Sequence, residues 1–273
     1  MKHVASLHYG VIFKKAFCDP IIFKAFVKDM LNIELEIDKV ETEKSFDPII
    51  GRVDSRFDLF AQDEKNRLVV DIQHDRYGDH YDRFLHYHCI AIIEQVKNAK
   101  NYRPSSRVYT IVVLTSGDKH QKDVLVTDFT PRDLKGNPIS EIEHKILFLC
   151  PKYVTAETPE PYRTWLRAID DTLDEQVDET QYQSEIIQRV FTHIEQDGVS
   201  PQERARMFDE YGQAELHREE FKLGKAEGVA EGIAKGEHEK ALAIARQLLE
   251  VLDDETISQK TGLSLETVRS LRN

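Results

Sequence analysis

The sequence predicts an α/β sandwich, a mixed sheet packed between helices, followed by an all-helical C-terminal region. Three observations carry this expectation. Strand-like runs, alternating or continuously β-branched, occur only before residue 155. One helical segment precedes them and another interrupts them, the order that a mixed sheet with helical connections requires. From about Thr155 the strand signals stop and helical patterning takes over.

The elements follow in order. Residues 6–31 read as helix with a break at Asp19-Pro20, since proline opens a helix but does not continue one. Strands are expected at 35–46, 52–62 and 67–74. The stretch GDHYDRFLHYHCIAIIEQVKNA (78–99) reads as a long helix with Asp79 as its cap. RVYTIVVLT (107–115) is a continuous β-branched run, as in a strand covered on both faces. VLVTDF (124–129) and KILFLC (145–150) are shorter strands, and helices are expected at 159–177, 185–194 and 201–221. The expected organisation is an α/β domain over 1–155, a helical region over 156–221 and a tail over 222–273.

Composition bounds the function. The chain has 273 residues, 40% of them hydrophobic, enough for one good-sized domain and an extension. It holds no apolar run long enough to span a bilayer and no secretory signal at Met1–Gly10. Cys18, Cys89 and Cys150 are odd in number and widely spaced, which argues for reduced thiols in the cytoplasm and against a disulfide framework. Residues 1–155 carry 23 basic and 23 acidic side chains, and 156–273 carry 14 and 26, so the whole net charge of −12 lies in the second part. A neutral first part neither excludes nor argues for a nucleic-acid substrate, because local charge decides phosphate binding.

The segment SRFDLFAQDEKNRLVVDIQ (55–73) holds two aspartates inside strand-like stretches. Alternation places Val53, Phe57, Leu59 and Ala61 on one face and Asp54, Arg56 and Asp58 on the other. On the next strand Leu68, Val70 and Ile72 oppose Val69, Asp71 and Gln73. With Glu64-Lys65 as a two-residue loop, paired residue numbers sum to 129, and Asp58 faces Asp71 with Gln73 one pleat away. Two facing carboxylates repel unless a cation offsets them. A hard divalent metal suits an all-oxygen pair; the other reading is a solvated hairpin face on which the aspartates stay apart. His74, His80, His86 and His88 cluster in sequence, but His86 and His88 face apart on a helix and no spacing fits a zinc pair.

This pattern resembles the PD-(D/E)XK nuclease core, with Gln73 in place of lysine. More closely, the chain is similar to the recombination-promoting nuclease family, also described as PD-(D/E)XK family transposases. The resemblance rests on IFKKAF near the N-terminus, the FDLFAQDEKNRLVVDIQ hairpin, Arg83, Tyr87 and Gln95 on the next helix, a glycine-punctuated acidic tail, and TGLS at 261–264. It departs from the family at Asp71, where glutamate is usual, and at Gly10, where an acidic residue often stands. The resemblance implies a restriction-endonuclease-like core over 1–155, with Asp58 and Asp71 holding Mg²⁺ (Mn²⁺ or Ca²⁺ as substitutes) and Gln73 completing the catalytic set. Gln73 carries no charge and is no base, but its amide can orient a water and donate to phosphate. Without the resemblance it is a hairpin residue bonding locally. Arg83, Tyr87 and Gln95 are implied as phosphate-binding or supporting groups. Arg83 and Tyr87 share a helix face, and the plainer reading of Arg83 is a surface pair with Asp79 or Asp82.

In the tail, Gly224, Gly228, Gly232 and Gly236 recur every four residues. Each costs a helix about 1 kcal/mol relative to alanine, so the segment either self-associates along its glycine face or is a frayed connector. DDETISQKTGLSLETVRSLR (253–272) reads as helix, turn, helix, offering only Arg269 and Arg272 to DNA; packing or dimer capping serves equally well. The leading expectation is a cytoplasmic Mg²⁺-dependent DNA endonuclease, in recombination, mobile-element or phage-defence biology, that forms a homo-oligomer through its tail and does not engage membranes. The alternative is a catalytically weakened member acting as an oligomeric DNA- or protein-binding module.

Overall fold

Pro20 and Asp19 divide the N-terminal apolar stretch as their chemistry dictates. In the computed structural model, which describes residues 1–46, 55–74, 80–96 and 102–272, helix α1 spans Gly10–Phe17 and α2 spans Pro20–Leu31. Pro20 opens α2, where its missing N–H costs nothing, and the Asp19 carboxylate accepts the Ile21 N–H at 2.8 Å. Residues 6–9, expected as helix, are not helical.

Strands β1 (Lys2–His3), β2 (Glu41–Phe46), β3 (Ser55–Gln62) and β4 (Asn66–Gln73) precede helix α3 (His80–Ile93). Strands β5 (Arg107–Leu114), β6 (Val124–Asp128) and β7 (Lys145–Leu149) follow it. Six strands form one sheet in the order β2-β3-β4-β5-β7-β6. β4, β5 and β7 run parallel and the other neighbours antiparallel, so the sheet is mixed, as expected. The central strands are covered on both faces. Leu68, Val70, Tyr109, Ile111 and Val113 join the core built with α1, α2, α4 (Tyr162–Asp171) and α5 (Glu185–His193). Val69, Val108, Val112 and Leu114 join Phe84, Tyr87 and Ala91 of α3. This two-sided burial is why 108–114 reads as a continuous run of β-branched and apolar residues.

Several expectations change. The strand expected at 35–46 begins only at Glu41. The helix expected at 159–177 ends at Asp171, and Gln176–Val177 form a short strand, β8, that pairs with β1. Val53, Asp54, Asp75, Arg76, Asp79 and Lys97 lie outside the described residues.

The chain divides into two compact units, Met1–Glu210 and Tyr211–Asn273. Residue 155 lies inside the first, whose core continues through Trp165, Ile187, Phe191 and Val199. The long helix α6 (Pro201–Leu248) begins in the first unit and supplies much of the second. The second unit has a small core of its own: Ala245 of α6, Ile257 of α7 (Asp254–Thr261), Leu263, and Val268 of α8 (Leu265–Arg272). Gly262, at φ 74°, ends α7 in the left-handed conformation that glycine adopts without steric cost. No helix among the described residues is long and apolar enough to cross a membrane.

Candidate active site

The hairpin β3–β4 has the register its loop length implies. Leu59 faces Val70, Phe60 faces Val69, Ala61 faces Leu68 and Gln62 faces Arg67. Asp63 secures the turn, its carboxylate accepting the N–H groups of Lys65 at 2.8 Å and Asn66 at 2.7 Å. One step beyond Leu59 and Val70, side chains take over from the main-chain ladder. The Asp58 N–H donates to Asp71 Oδ1, and the Ile72 N–H donates to Asp58 Oδ2, both at 3.1 Å. Each aspartate thus satisfies a main-chain donor of the opposite strand that would otherwise be buried unpaired.

The same interruption overturns part of the expected alternation. Phe57 packs with Phe60 and Tyr87 on the α3 side, while Leu59 and Ala61 pack on the α1–α2 side, so Phe57 and Leu59 do not share a face. The cause lies on the neighbouring strand. β2 pairs Thr42 with Leu59 and Lys44 with Phe57, and Glu43, between them and across from Asp58, has φ 55°. A left-handed residue within a strand breaks the pleat there.

Asp71 is 5% exposed, and its Oδ2 has no hydrogen-bond partner among the described residues. Burial, and then the charge of Asp58, push the Asp71 carboxyl well above the ordinary carboxylate range, against the pull of the Asp58 N–H, Arg83 and Lys14. A buried carboxylate oxygen with no donor, beside a second carboxylate, is costly unless a proton or a cation occupies it. The pair therefore fits a hard divalent cation, which commonly takes one or two protein carboxylates and leaves its other positions to water and substrate phosphate.

Gln73, two residues on, is buried and on the same side of β4 as Asp71, and its carbonyl accepts the Thr115 N–H at 3.1 Å. Arg83 Nε donates to the Tyr87 hydroxyl at 3.2 Å, and the guanidinium lies over the Phe84 and Tyr87 rings. Tyr87 in turn packs edge-to-face on Phe57, next to Asp58. Gln95 is elsewhere. Its Oε1 accepts the Ser106 N–H at 2.8 Å and its Nε2 donates to the Ala91 carbonyl at 2.9 Å. Ser106 precedes the Arg107–Asn66 pair, whereas Asp71 pairs with Val112. Five residues of strand separate them, about 16 Å, so Gln95 anchors the entry to β5. The four histidines are dispersed: His74 meets Thr115, His80 meets Asp118, His88 meets Thr110, and His86 is exposed.

Three charged groups at the site carry no role in the sequence pattern. Lys14 of α1, with only 15% of its side chain exposed, places Nζ 2.6 Å from Glu43 Oε1 and 3.5 Å from Asp58 Oδ1. Glu43 also pairs with Arg56. Glu210, the tenth residue of α6, bonds both oxygens to the open end of α1, accepting the Gly10 N–H at 2.7 Å and the Val11 N–H at 3.2 Å. α1 has no side-chain cap of its own and no acidic residue in its first turn, so Glu210 supplies both. A Cβ at Gly10 would lie 3.6 Å from Glu210 Oε1, so the carboxylate stands directly over the glycine. Burial raises the Glu210 pKa. In the second unit, Arg272 is bound to Asp254 and to the Leu249 and Leu252 carbonyls, and Arg269 lies 4.0 Å from Asp254. Arg272 is thus bound into that unit, whereas the Arg269 side chain stays largely exposed.

No curated protein and no solved structure matches the chain. A family model does: the description "PD-(D/E)XK nuclease family transposase" matches residues 12–217, from within α1 through the sheet and into α6. That span includes Lys14, Glu43, the Asp58–Asp71 hairpin, Gln73, Arg83 and Glu210, and it makes up well over half of the chain; the protein belongs to the PD-(D/E)XK nuclease family transposases.

Proposed function

We propose that this protein is a DNA endonuclease that hydrolyses phosphodiester bonds with a divalent metal, Mg²⁺ by the hardness of its ligands, in the cytoplasm. The observation that carries the proposal is the buried Oδ2 of Asp71, which has no hydrogen-bond partner among the described residues, on a carboxylate whose Oδ1 accepts the Asp58 N–H. Asp58 and Asp71 would hold the cation. When bound, the cation supplies Lewis acidity to the scissile phosphate and lowers the pKa of water.

The chain's own residues do the remaining work. Gln73 orients the attacking water through its amide, accepting from the water and donating to phosphate. Arg83, held in place by Tyr87 and Phe84, offers a cation from the α3 side. The hydrogen bonds across the hairpin fix both carboxylates before substrate arrives, so little reorganisation is needed during reaction. Recombination, movement of mobile elements and defence against phage are the settings that such an activity serves.

The test is cleavage of supercoiled plasmid by purified protein. Nicking that requires Mg²⁺, stops in EDTA and is lost in both Asp58→Asn and Asp71→Asn supports the proposal. DNA binding without cleavage at any metal concentration replaces it with the alternative, a binding module.

A further inference from the structure

We propose that Lys14 is the phosphate-facing cation of this site, supplying from helix α1 the positive charge that Gln73 cannot. The inference rests on the reading of Asp58 and Asp71 as the metal-holding pair and adds a residue to it. Phosphodiester hydrolysis builds negative charge on the phosphoryl oxygens, and a positioned cation is among the strongest ways to stabilise it. The β4 strand offers only a neutral amide at position 73. Arg83 acts on Asp71 from the α3 side, and Lys14 approaches the pair from α1, 3.5 Å from Asp58 Oδ1.

The surroundings hold that ammonium group in place. Its stem is largely buried, in contrast to the extended, solvated lysine of a protein surface. Glu43 fixes Nζ at 2.6 Å, and Glu43 itself occupies a left-handed backbone conformation across the strand pair from Asp58. A glutamate adopts that conformation only when its surroundings impose it, and such residues concentrate at functional sites. Arg56 is Glu43's second cation, so Glu43 stays paired when Lys14 turns toward a phosphate. An ion pair serving stability alone requires neither burial of the lysine nor a strained partner, and it does not require contact with Asp58.

The experiment compares wild type, Lys14→Gln, Lys14→Arg and the double variant Lys14→Gln/Gln73→Lys. Two quantities are read: the single-turnover rate of plasmid nicking at saturating Mg²⁺, and Mn²⁺ affinity by electron paramagnetic resonance without DNA. Lys14→Gln is expected to slow nicking about 100-fold. Lys14→Arg, which keeps the charge, stays within about 10-fold of wild type, and the double variant regains most of the loss. Because Lys14 competes for the field of Asp58, its removal is expected to tighten Mn²⁺ binding on the order of 10-fold, and adding Gln73→Lys restores the weaker binding. The Mn²⁺ arm does not depend on turnover. Lys14→Gln that nicks and binds Mn²⁺ like wild type overturns the inference and leaves the proposed function standing. Lys14→Arg as slow as Lys14→Gln also overturns it, since the loss is then one of packing. A wild type that neither binds Mn²⁺ nor cuts DNA overturns the metal reading itself, and Lys14's role with it.

Discussion

Replacing Asp71 by asparagine should make the metal-free protein more stable, although it removes a residue bonded within the core. Asparagine keeps the Oδ1 acceptor for the Asp58 N–H and places an uncharged amide nitrogen where Oδ2, without a partner among the described residues, stands. The charge lost is the one whose burial and repulsion by Asp58 raise its pKa. The sign follows from linkage. The folded state holds the Asp71 proton more tightly than the unfolded chain, whose aspartate titrates near its ordinary value of 3.8. Wild-type stability therefore falls as pH rises from that value to the raised folded one, and stays low above it. Asparagine carries no such penalty. Each unit of the shift is worth about 1.4 kcal/mol, and in a unit of this size 1 kcal/mol moves Tm by about 2–4 °C.

Thermal melts in EDTA between pH 4 and 8 should show the two proteins converging at the acid end and Asp71→Asn several degrees higher at the neutral end. Mg²⁺ should reverse the order, because only wild type gains binding energy, about 2.7 kcal/mol at a hundredfold excess over Kd. An asparagine variant that melts lower than wild type at pH 7.5 in EDTA, or whose advantage does not vary with pH, refutes the account of Asp71 as a buried, repelled carboxylate.

Other predictions concern single groups. Gln73→Ala should lose roughly 10- to 1000-fold in nicking rate, the scale for a positioned polar donor, with Mn²⁺ affinity unchanged; superimposable Mg²⁺ titrations for variant and wild type would remove Gln73 from the site. Glu210→Ala should lower stability by about 1–2 kcal/mol, the scale for losing a helix cap, as read by denaturant melts; an unchanged midpoint would show that α1 needs no outside cap. Truncation after Phe221 should lower the oligomeric state while leaving the α/β unit folded, and equal stoichiometry by light scattering would refute self-association through the tail. That tail keeps its four glycines within α6, and a Cβ at any of them would meet nothing within 4 Å among the described residues.

The register of the hairpin from Leu59–Val70 to Gln62–Arg67 was legible because a two-residue loop and a period of two leave one solution; one step on, Asp58 and Asp71 meet through bonds to each other's strand rather than as a ladder pair. The side on which Phe57 packs was not, since it depends on the left-handed Glu43 of a neighbouring strand whose pairing no local pattern encodes. β1 and β8 escaped because two residues carry no periodicity, yet Lys2 pairs with Val177 and His3 with Gln176, near the opposite end of the first unit. Lys14 stood in view within IFKKAF, but its partners Glu43 and Asp58 meet it only in the folded protein. Glu210 had no signal at all. It reads as one acid among many on a polar helix, and only tertiary packing brings it over Gly10. Gln95 shows the reverse failure: it follows the family pattern in sequence, but the fold gives it to Ser106 and Ala91, at the far end of β4 from Asp71.

The most direct test of the central claim is anomalous diffraction from crystals soaked in Mn²⁺. One strong peak is expected between Asp58 and Asp71, about 2.1 Å from Asp71 Oδ2 by the distance typical of small divalent cations, and absent from Asp71→Asn crystals. No peak at that position in wild-type crystals, with Asp71 Oδ2 instead bonded to a protein donor, would contradict it.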